Sequence, residues 1–373
     1  MHPVSQASAP QPRKAFLVGL VLGPQPGWVI EEHLDELAEL VASAGAQVVG
    51  SALQRRPAPD AATFIGRGKA AAIAGEAQAA QADVVVFDDD LTGSQVKNLE
   101  EILKLQVMDR SALILEIFNQ RARSREARTQ VELAQLNYLL PRLTRRWGHL
   151  SRQEGGIGVR GGEGETQLEA DRRVLRQRIR RLERDLGKIE RTRAVQRRGR
   201  EGVASVALAG YTNAGKSTLF NALTRAATPA RSRLFATLDS KLRRGVVGDG
   251  RVAVFADTVG FIRKLPHHLV ASFKSTLEEV TTADLVLHVV DRSHPRWEEQ
   301  MRIAEGVLAD LGVEPQRLLR VFNKSDLMAG EADRDGDLWV SARTGEGLAE
   351  LRGAVARRLE KAGVLVPPVT VQS

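Results

Sequence analysis

The 373-residue chain contains no cysteine. Disulfides, thiolate metal sites and cysteine nucleophiles are therefore excluded, and the composition fits a reducing compartment. No apolar run approaches the length of a membrane span. The first twelve residues carry Pro3, Pro10 and Pro12 but no apolar signal core. They read as a loose tail, and a cytoplasmic location is expected. Hydrophobic residues make up 43% and charged residues 27%, a globular balance with room for two or three domains.

The net charge of +8 is unevenly placed. Residues 121–200 hold 22 Lys+Arg against 10 Asp+Glu, more than the whole positive excess. A concentrated basic element favours a polyanion, nucleic acid first and an acidic membrane surface second; a solvated basic helix face is the alternative.

In chain order, residues 14–22, 46–53 and 83–87 read as strands, with a short fourth at 106–108. Residues 31–44 and 67–81 read as helices. Thr92 is placed to cap another helix running to Lys104. This alternation predicts a small α/β domain with a mainly parallel sheet. Asp88-Asp89-Asp90 reads as a solvated loop, with Asp90 near a helix N-terminus.

From Ser111 the pattern turns helical. One helix gathers Val131, Leu133, Leu136, Leu139, Leu140 and Leu143 and ends near Pro141. A second carries Leu168 and then Leu175, Ile179, Leu182, Leu186 and Ile189, spaced alternately by four and three as in a coiled-coil seam. Between them lies a glycine-rich stretch from Gly155 to Glu165, which predicts an antiparallel hairpin with a glycine-rich tip. Gly156-x-Gly158-x-x-Gly161 fits a dinucleotide fingerprint, but no strand precedes it, and that reading is rejected.

The strongest motif is Gly210-Tyr211-Thr212-Asn213-Ala214-Gly215-Lys216-Ser217-Thr218. It follows an apolar strand, 203–209, and opens a helix, the context of a phosphate-binding loop. Backbone N–H groups at the helix N-terminus favour the anion. Lys216 is expected on the β- and γ-phosphates and Ser217 on Mg²⁺. Four further pieces follow in the order a GTPase requires. Thr237, within Phe235-Ala236-Thr237-Leu238-Asp239, can close on Mg²⁺ and the γ-phosphate. Asp257-Thr258-Val259-Gly260 ends an apolar strand; Asp257 can hold the ion's water shell, and the Gly260 N–H can bond the γ-phosphate. Asn323-Lys324-Ser325-Asp326 ends another strand and selects the base. A carboxylate at Asp326 accepts from guanine N1–H and its exocyclic amine, neither of which adenine presents there. Asn323 is expected to tie the loop to base and phosphate loop, and the Lys324 stem to lie over the ring. Asn323-x-Ser325 also fits a glycosylation sequon, which fails without a secretory signal. The backbone of Ser341-Ala342-Arg343 can meet guanine O6. The expected catalytic groups are Lys216, Thr237 and Gly260, and the bound species GTP or GDP with Mg²⁺.

Together these residues resemble the HflX-type translational GTPases, in the TRAFAC class, over roughly residues 14 to 365. The resemblance extends beyond the general GTPase motifs. It includes Phe261-Ile262-Arg263 after the Asp257 motif, Met108-Asp109-Arg110, Ile117-Phe118-x-Gln120-Arg121-Ala122-Arg123, Gln130 to Leu136 and Gly164-Glu165-Thr166-Gln167-Leu168-Glu169. It implies an N-terminal α/β domain (13–125) after a tail (1–12), a basic helical hairpin (126–200), a Ras-like GTPase domain (201–365) and a final tail (366–373). It also implies association with the large, 50S ribosomal subunit through the N-terminal domain and hairpin, ribosome-stimulated GTP hydrolysis, and splitting or rescue of stalled ribosomes under stress. A monomer is expected. Action on another structured RNA, or nucleotide-switched binding with incidental hydrolysis, are the alternatives. The tip loop is one residue longer than the family pattern and lacks its proline.

Ras-like GTPases place a glutamine after the Asp-x-x-Gly motif to orient the attacking water. Phe261 stands there, so slow intrinsic hydrolysis completed from outside is expected. Asn213 matches the asparagine of potassium-activated GTPases, where K⁺ supplies positive charge; a loop-stabilising amide is the other reading.

Overall fold

A computed structural model describes residues 13–23, 26–143, 167–198, 202–226, 234–235, 237–264, 274–328 and 337–364. The glycine-rich tip expected at Gly155 to Glu165 lies outside them, as does Ala236. Two compact units emerge: Met1–Gln120 with Tyr138–Arg176, and Arg121–Asn137 with Gln177–Ser373.

The first unit alternates strand and helix: β1 (Lys14–Leu22), α1 (Gly27–Ser43), β2 (Gln47–Arg56), α2 (Arg67–Ala79), β3 (Val84–Phe87), α3 (Gly93–Leu103), β4 (Gln106–Asp109) and α4 (Arg110–Arg121). The strands form one parallel sheet in the order β2-β1-β3-β4. β1 is apolar at nearly every position because it is an inner strand with both faces covered. Phe16, Val18, Ile73, Phe87 and Leu99 share its core. Thr92 caps α3 in a reciprocal box: its hydroxyl accepts from Gln95 N–H, and Gln95 returns a bond to Thr92 N–H.

Asp88 departs from the expected solvated loop, whereas Asp90 is exposed just before α3 as expected. Asp88 is 1% exposed and pairs with the equally buried Arg110 at 2.7 Å, while Arg110 also reaches Glu36. Asp90 accepts from the Ser111 hydroxyl, which is bonded close to the start of α4. Two residues supply the physical reason. Arg110 needs a counter-charge to be buried, and the carboxyl end of β3 presents one. Nearby, Asp109 accepts from Tyr138 Oη (2.8 Å) and Arg142 Nη2 (3.1 Å). Burial pushes the Asp109 carboxyl above its usual range, and the backbone N–H bonds from Ala112 and Leu91 and the Arg142 charge oppose that push.

Two long helices follow: α5 (Arg125–Leu139), closed by a short 3₁₀ turn at Leu140–Arg142, and α6 (Gln167–Arg198). Arg178 pairs with Glu132 at 2.6 Å and Arg193 with Glu126 at 2.8 Å. The reversed order of these pairs makes the helices antiparallel there. Ile179, Leu182 and Leu186 are the buried seam of α6, whereas Ile189 is half-buried.

The second unit continues with β5 (Ser205–Ala209), α7 (Lys216–Thr224), β6 (Lys241–Val246), β7 (Val252–Asp257), α8 (Lys274–Thr282), β8 (Leu285–Asp291), α9 (Trp297–Asp310), β9 (Leu318–Asn323), β10 (Leu338–Trp339) and α10 (Leu348–Lys361). Its six strands run in the order β10-β9-β8-β5-β7-β6, and all neighbours are parallel except β6 with β7. This is the expected α/β architecture, a mostly parallel sheet with the candidate phosphate loop after its central strand. β5 lies between β7 and β8, so its carboxyl end opens at the centre of the sheet. Val206, Leu208, Leu219, Phe220, Leu287, Val321 and Val355 fill one core around it. Loops following central parallel strands are where such sheets bind ligands.

Candidate functional site

The loop leaving β5 begins at Gly210 and reaches α7 through Gly215, at φ +90°. A side chain at position 215 would be strained in that conformation and would strike the Asn323 amide. Asn323 Nδ2 instead donates to Ala214 O at 2.9 Å, and its Oδ1 accepts from Ala342 N–H at 3.0 Å. One amide thus joins three of the five motifs.

Beneath the loop sits Lys216, 7% exposed. Its Nζ donates to the carbonyls of Gly210 (3.1 Å) and Tyr211 (2.7 Å). A Cβ added to Gly260 would lie 2.8 Å from that Nζ, so the glycine permits the approach of this strand end to the loop. Ser217 Oγ donates to Asp257 Oδ2 at 2.7 Å. Thr237 Oγ1 lies 3.0 Å from the same oxygen and 2.9 Å from Ser217 Oγ. Among the described residues, buried Asp257 Oδ1 has no hydrogen-bond partner. Burial raises the Asp257 carboxyl, while the Ser217 bond, the Lys216 charge and the Thr237 bond oppose the rise.

Phe261 is 0% exposed. Its N–H donates to Gly210 O (3.0 Å), and its carbonyl accepts from Thr212 N–H (2.7 Å). Tyr211 Oη accepts from Arg263 N–H at 2.9 Å. Thr258 Oγ1 donates to Leu208 O at 2.6 Å, and Val259 is buried.

These segments enclose a cavity of about 450 Å³. On the loop side it is lined by Thr212, Asn213, Gly215, Lys216, Ser217 and Thr218, and opposite by Phe235, Thr237, Thr258 and Gly260. Its other end holds Asn323, Lys324, Asp326, Ala342 and Arg343. Gly210, Tyr211, Ala214, Leu238, Asp239, Asp257, Val259, Ser325 and Ser341 do not line it. Asp326 Oδ1 accepts from Ser341 Oγ at 2.7 Å, and Oδ2 faces Arg343 Nε at 3.3 Å. Ser325 N–H bonds Val340 O at 3.1 Å. Such a cavity presents a buried ammonium and helix-terminal N–H groups at one end and a fixed carboxylate at the other, as an elongated polyanion with a hydrogen-bonding base requires.

Comparison with known proteins decides the family. A model described as "GTP-binding GTPase N-terminal" matches residues 31–119, "GTP-binding GTPase Middle Region" matches 121–200, and "50S ribosome-binding GTPase" matches 205–324. The GTPase HflX of Magnetococcus marinus is 49% identical over 346 residues, covering 90% of this chain and 80% of that protein. The GTPase HflX of Escherichia coli is 47% identical, covering 88% and 79%.

The chain belongs to the HflX GTPase family.

The protein therefore binds GTP and hydrolyses it. A solved chain described as a complex of SsGBP and GDP shares the fold at a TM-score of 0.51 and 23% identity, covering 94% of this chain and 99% of that one. Among the described residues no helix is long and apolar enough to cross a membrane.

One residue behind the cavity wall has no motif to announce it. Asp291, at the end of β8, pairs through Oδ2 with Lys324 Nζ at 2.6 Å, and its Oδ1 accepts from Ser293 N–H and Oγ. Its one sequence signal is a carboxylate closing an apolar run.

Desolvation pulls the Lys216 ammonium down to about 8, partly offset by Asp257. A triphosphate would raise it again, so nucleotide binding above that pH takes up a proton. GTP affinity should be flat below pH 8 and weaken above it, approaching about tenfold per pH unit. Calorimetry near pH 8.5 in buffers of different ionisation enthalpy reads the proton directly. Binding heats independent of buffer would refute the shift.

Proposed function

We propose that this protein is a GTP-driven factor of the large ribosomal subunit that splits or rescues stalled ribosomes in the cytoplasm. The observation that carries the reading is α6. Along its 32 residues, Arg173, Arg176, Arg180, Arg181, Arg184 and Arg191 are exposed. Such a helix suits the phosphate backbone of rRNA. The relatives' family model, described as a 50S ribosome-binding GTPase, supports the same partner.

In this reading residues 13–125 form the N-terminal domain, 126–200 the rRNA-binding hairpin and 201–365 the GTPase domain, acting as a monomer. Lys216 holds the β- and γ-phosphates, and the Gly260 N–H bonds the γ-phosphate. Asp326 reads guanine, Asn323 fixes the base loop, Lys324 flanks the ring, and the backbone of Ser341-Ala342-Arg343 faces O6. Mg²⁺ fits the donor set. Ser217 and Thr237 hydroxyls meet Asp257, whose other oxygen is buried without a hydrogen-bond partner among the described residues, and all donors are hard oxygens. Ser217 and Thr237 would hold the ion directly and Asp257 through its water shell. Mg²⁺ bound there would neutralise charge on the β- and γ-phosphates. K⁺ is proposed beside Asn213, which is exposed at φ +61° on the cavity wall.

The test is hydrolysis with and without purified large subunits. Subunits should raise kcat at least about tenfold, roughly 1.4 kcal/mol off the barrier. Binding should weaken steeply with salt. An arm in Na⁺ should slow hydrolysis relative to K⁺, and Asn213→Ala should erase that difference. Fast hydrolysis indifferent to subunits, or sedimentation with another RNA in preference to them, would overturn the reading.

A further inference from the structure

Asp239 closes the Phe235–Asp239 motif but does not line the cavity. It stands two residues after Thr237 and two before β6. Both its oxygens are engaged far away in sequence. Oδ2 accepts from the N–H groups of Arg123 (3.2 Å) and Ser124 (3.3 Å), and Oδ1 accepts from the Ser124 hydroxyl. Ser124 Oγ in turn accepts from Ala127 N–H at 3.0 Å, and Ser124 O accepts the first α5 bond, from Arg128 N–H, at 3.1 Å. Ser124 is thus the N-cap of α5, and Asp239 sits on the cap, at the positive end of the helix.

The other end of this connection is the reacting site. Thr237 is 8% exposed and touches Ser217 and Asp257; Leu238, between Thr237 and Asp239, is 2% exposed. The segment is pinned at Thr237, plugged at Leu238 and clamped at Asp239. α5 then pairs with basic α6 through Glu126–Arg193 and Glu132–Arg178. All these contacts lie within the second compact unit.

We propose that Asp239 is a positioning residue for GTP hydrolysis, holding Thr237 in its closed place by clamping the end of its segment to the N-terminus of α5. Fixing the chain two residues from Thr237 removes freedom that would otherwise be lost each time the threonine closes. The clamp also makes the equilibrium reciprocal. A closed Thr237 favours the capped α5, and a partner that steadies α5 and α6 favours a closed Thr237. The inference needs only that the protein hydrolyses GTP and does not depend on which RNA it meets.

A helix cap with no part in hydrolysis would affect stability alone, so the test separates the two. Single-turnover hydrolysis is measured on the full-length free protein, with GTP and GDP affinities from fluorescent analogues. Asp239→Ala should lower the hydrolysis rate about tenfold and leave both affinities within about twofold. Ser124→Ala should act in the same direction. The double variant should be no slower than Asp239→Ala, because both remove one clamp. Ser124→Thr, which keeps the hydroxyl, should retain the rate. Asp239→Asn keeps an acceptor and fold, and should fall between. Amide exchange at residues 125–128 should slow with a non-hydrolysable GTP analogue in the parent and not in Asp239→Ala. An unchanged rate in Asp239→Ala, or rate losses that multiply in the double variant, would overturn the proposal.

Discussion

Asp326→Asn should cost GTP affinity at least about a hundredfold and give affinity for xanthosine triphosphate in return. Asparagine keeps one acceptor and turns the other oxygen into a donor. Both neighbours of the carboxylate donate to it or face it with an N–H: Ser341 Oγ to Oδ1 at 2.7 Å and Arg343 Nε against Oδ2 at 3.3 Å. Whichever position the NH₂ group takes, one of the carboxylate's two acceptors is lost. Guanine offers two donors on that edge, so one charge-assisted bond becomes neutral and the other a donor–donor clash. Bonds to a charged group contribute about 1.5–3 kcal/mol each, which places the loss near two to four powers of ten. Xanthine carries a carbonyl where guanine has its amine, and the new amide can donate to it. Asn323 and Ser325 hold the loop independently, through Ala214, Ala342 and Val340, so the fold should survive. Direct titration with both nucleotides is the measurement, and undiminished GTP affinity would remove Asp326 from the base site.

The five motifs that meet at the cavity were legible because each is local. The Gly210–Thr218 loop needs glycine at 210 and 215, where φ is +146° and +90°, and Thr92 needs Gln95 three residues on to form its box. What escaped depends on distance or context. The strand β6 carries exposed Arg243 and Arg244 and has no apolar alternation, since it is an edge strand held by pairing with β7. Helices α8 and α9 were also not anticipated. Asp88 looks as solvated as Asp90 until Arg110, 22 positions on, is folded over it. Asp291 gives no motif because its partner, Lys324, arrives from another strand end. The Ser124–Asp239 clamp spans 115 positions, and neither residue's neighbours announce the other. Local chemistry can be read along the chain, whereas pairing between strand ends and helix caps is a property of the assembled sheet.

Phe261→Gln restores on paper the glutamine that Ras-like GTPases use to orient water, yet it should not raise the hydrolysis rate and should destabilise the GTPase unit by about 3–5 kcal/mol. Phe261 is 0% exposed, and its backbone is held on both sides by the loop, through Gly210 O at 3.0 Å and Thr212 N–H at 2.7 Å. Those bonds make the residue part of a short parallel bridge with Tyr211. The bridge directs the side chain into the protein interior. A glutamine there would forfeit the buried ring, which costs about 3–5 kcal/mol in Phe→Ala changes, and would bury an amide needing partners. Turning the amide outward would break the bridge, and with it the seat of Thr212 in the cavity wall. Either route leaves the attacking water without its glutamine. Denaturant unfolding gives the stability change, and single-turnover hydrolysis gives the rate. A rate increase of tenfold or more at unchanged stability would show that position 261 can face the γ-phosphate. The expected outcome, lower stability without faster hydrolysis, leaves the water to be ordered by groups outside this segment. A phenylalanine sealed under the phosphate loop suits an enzyme whose hydrolysis waits for a partner.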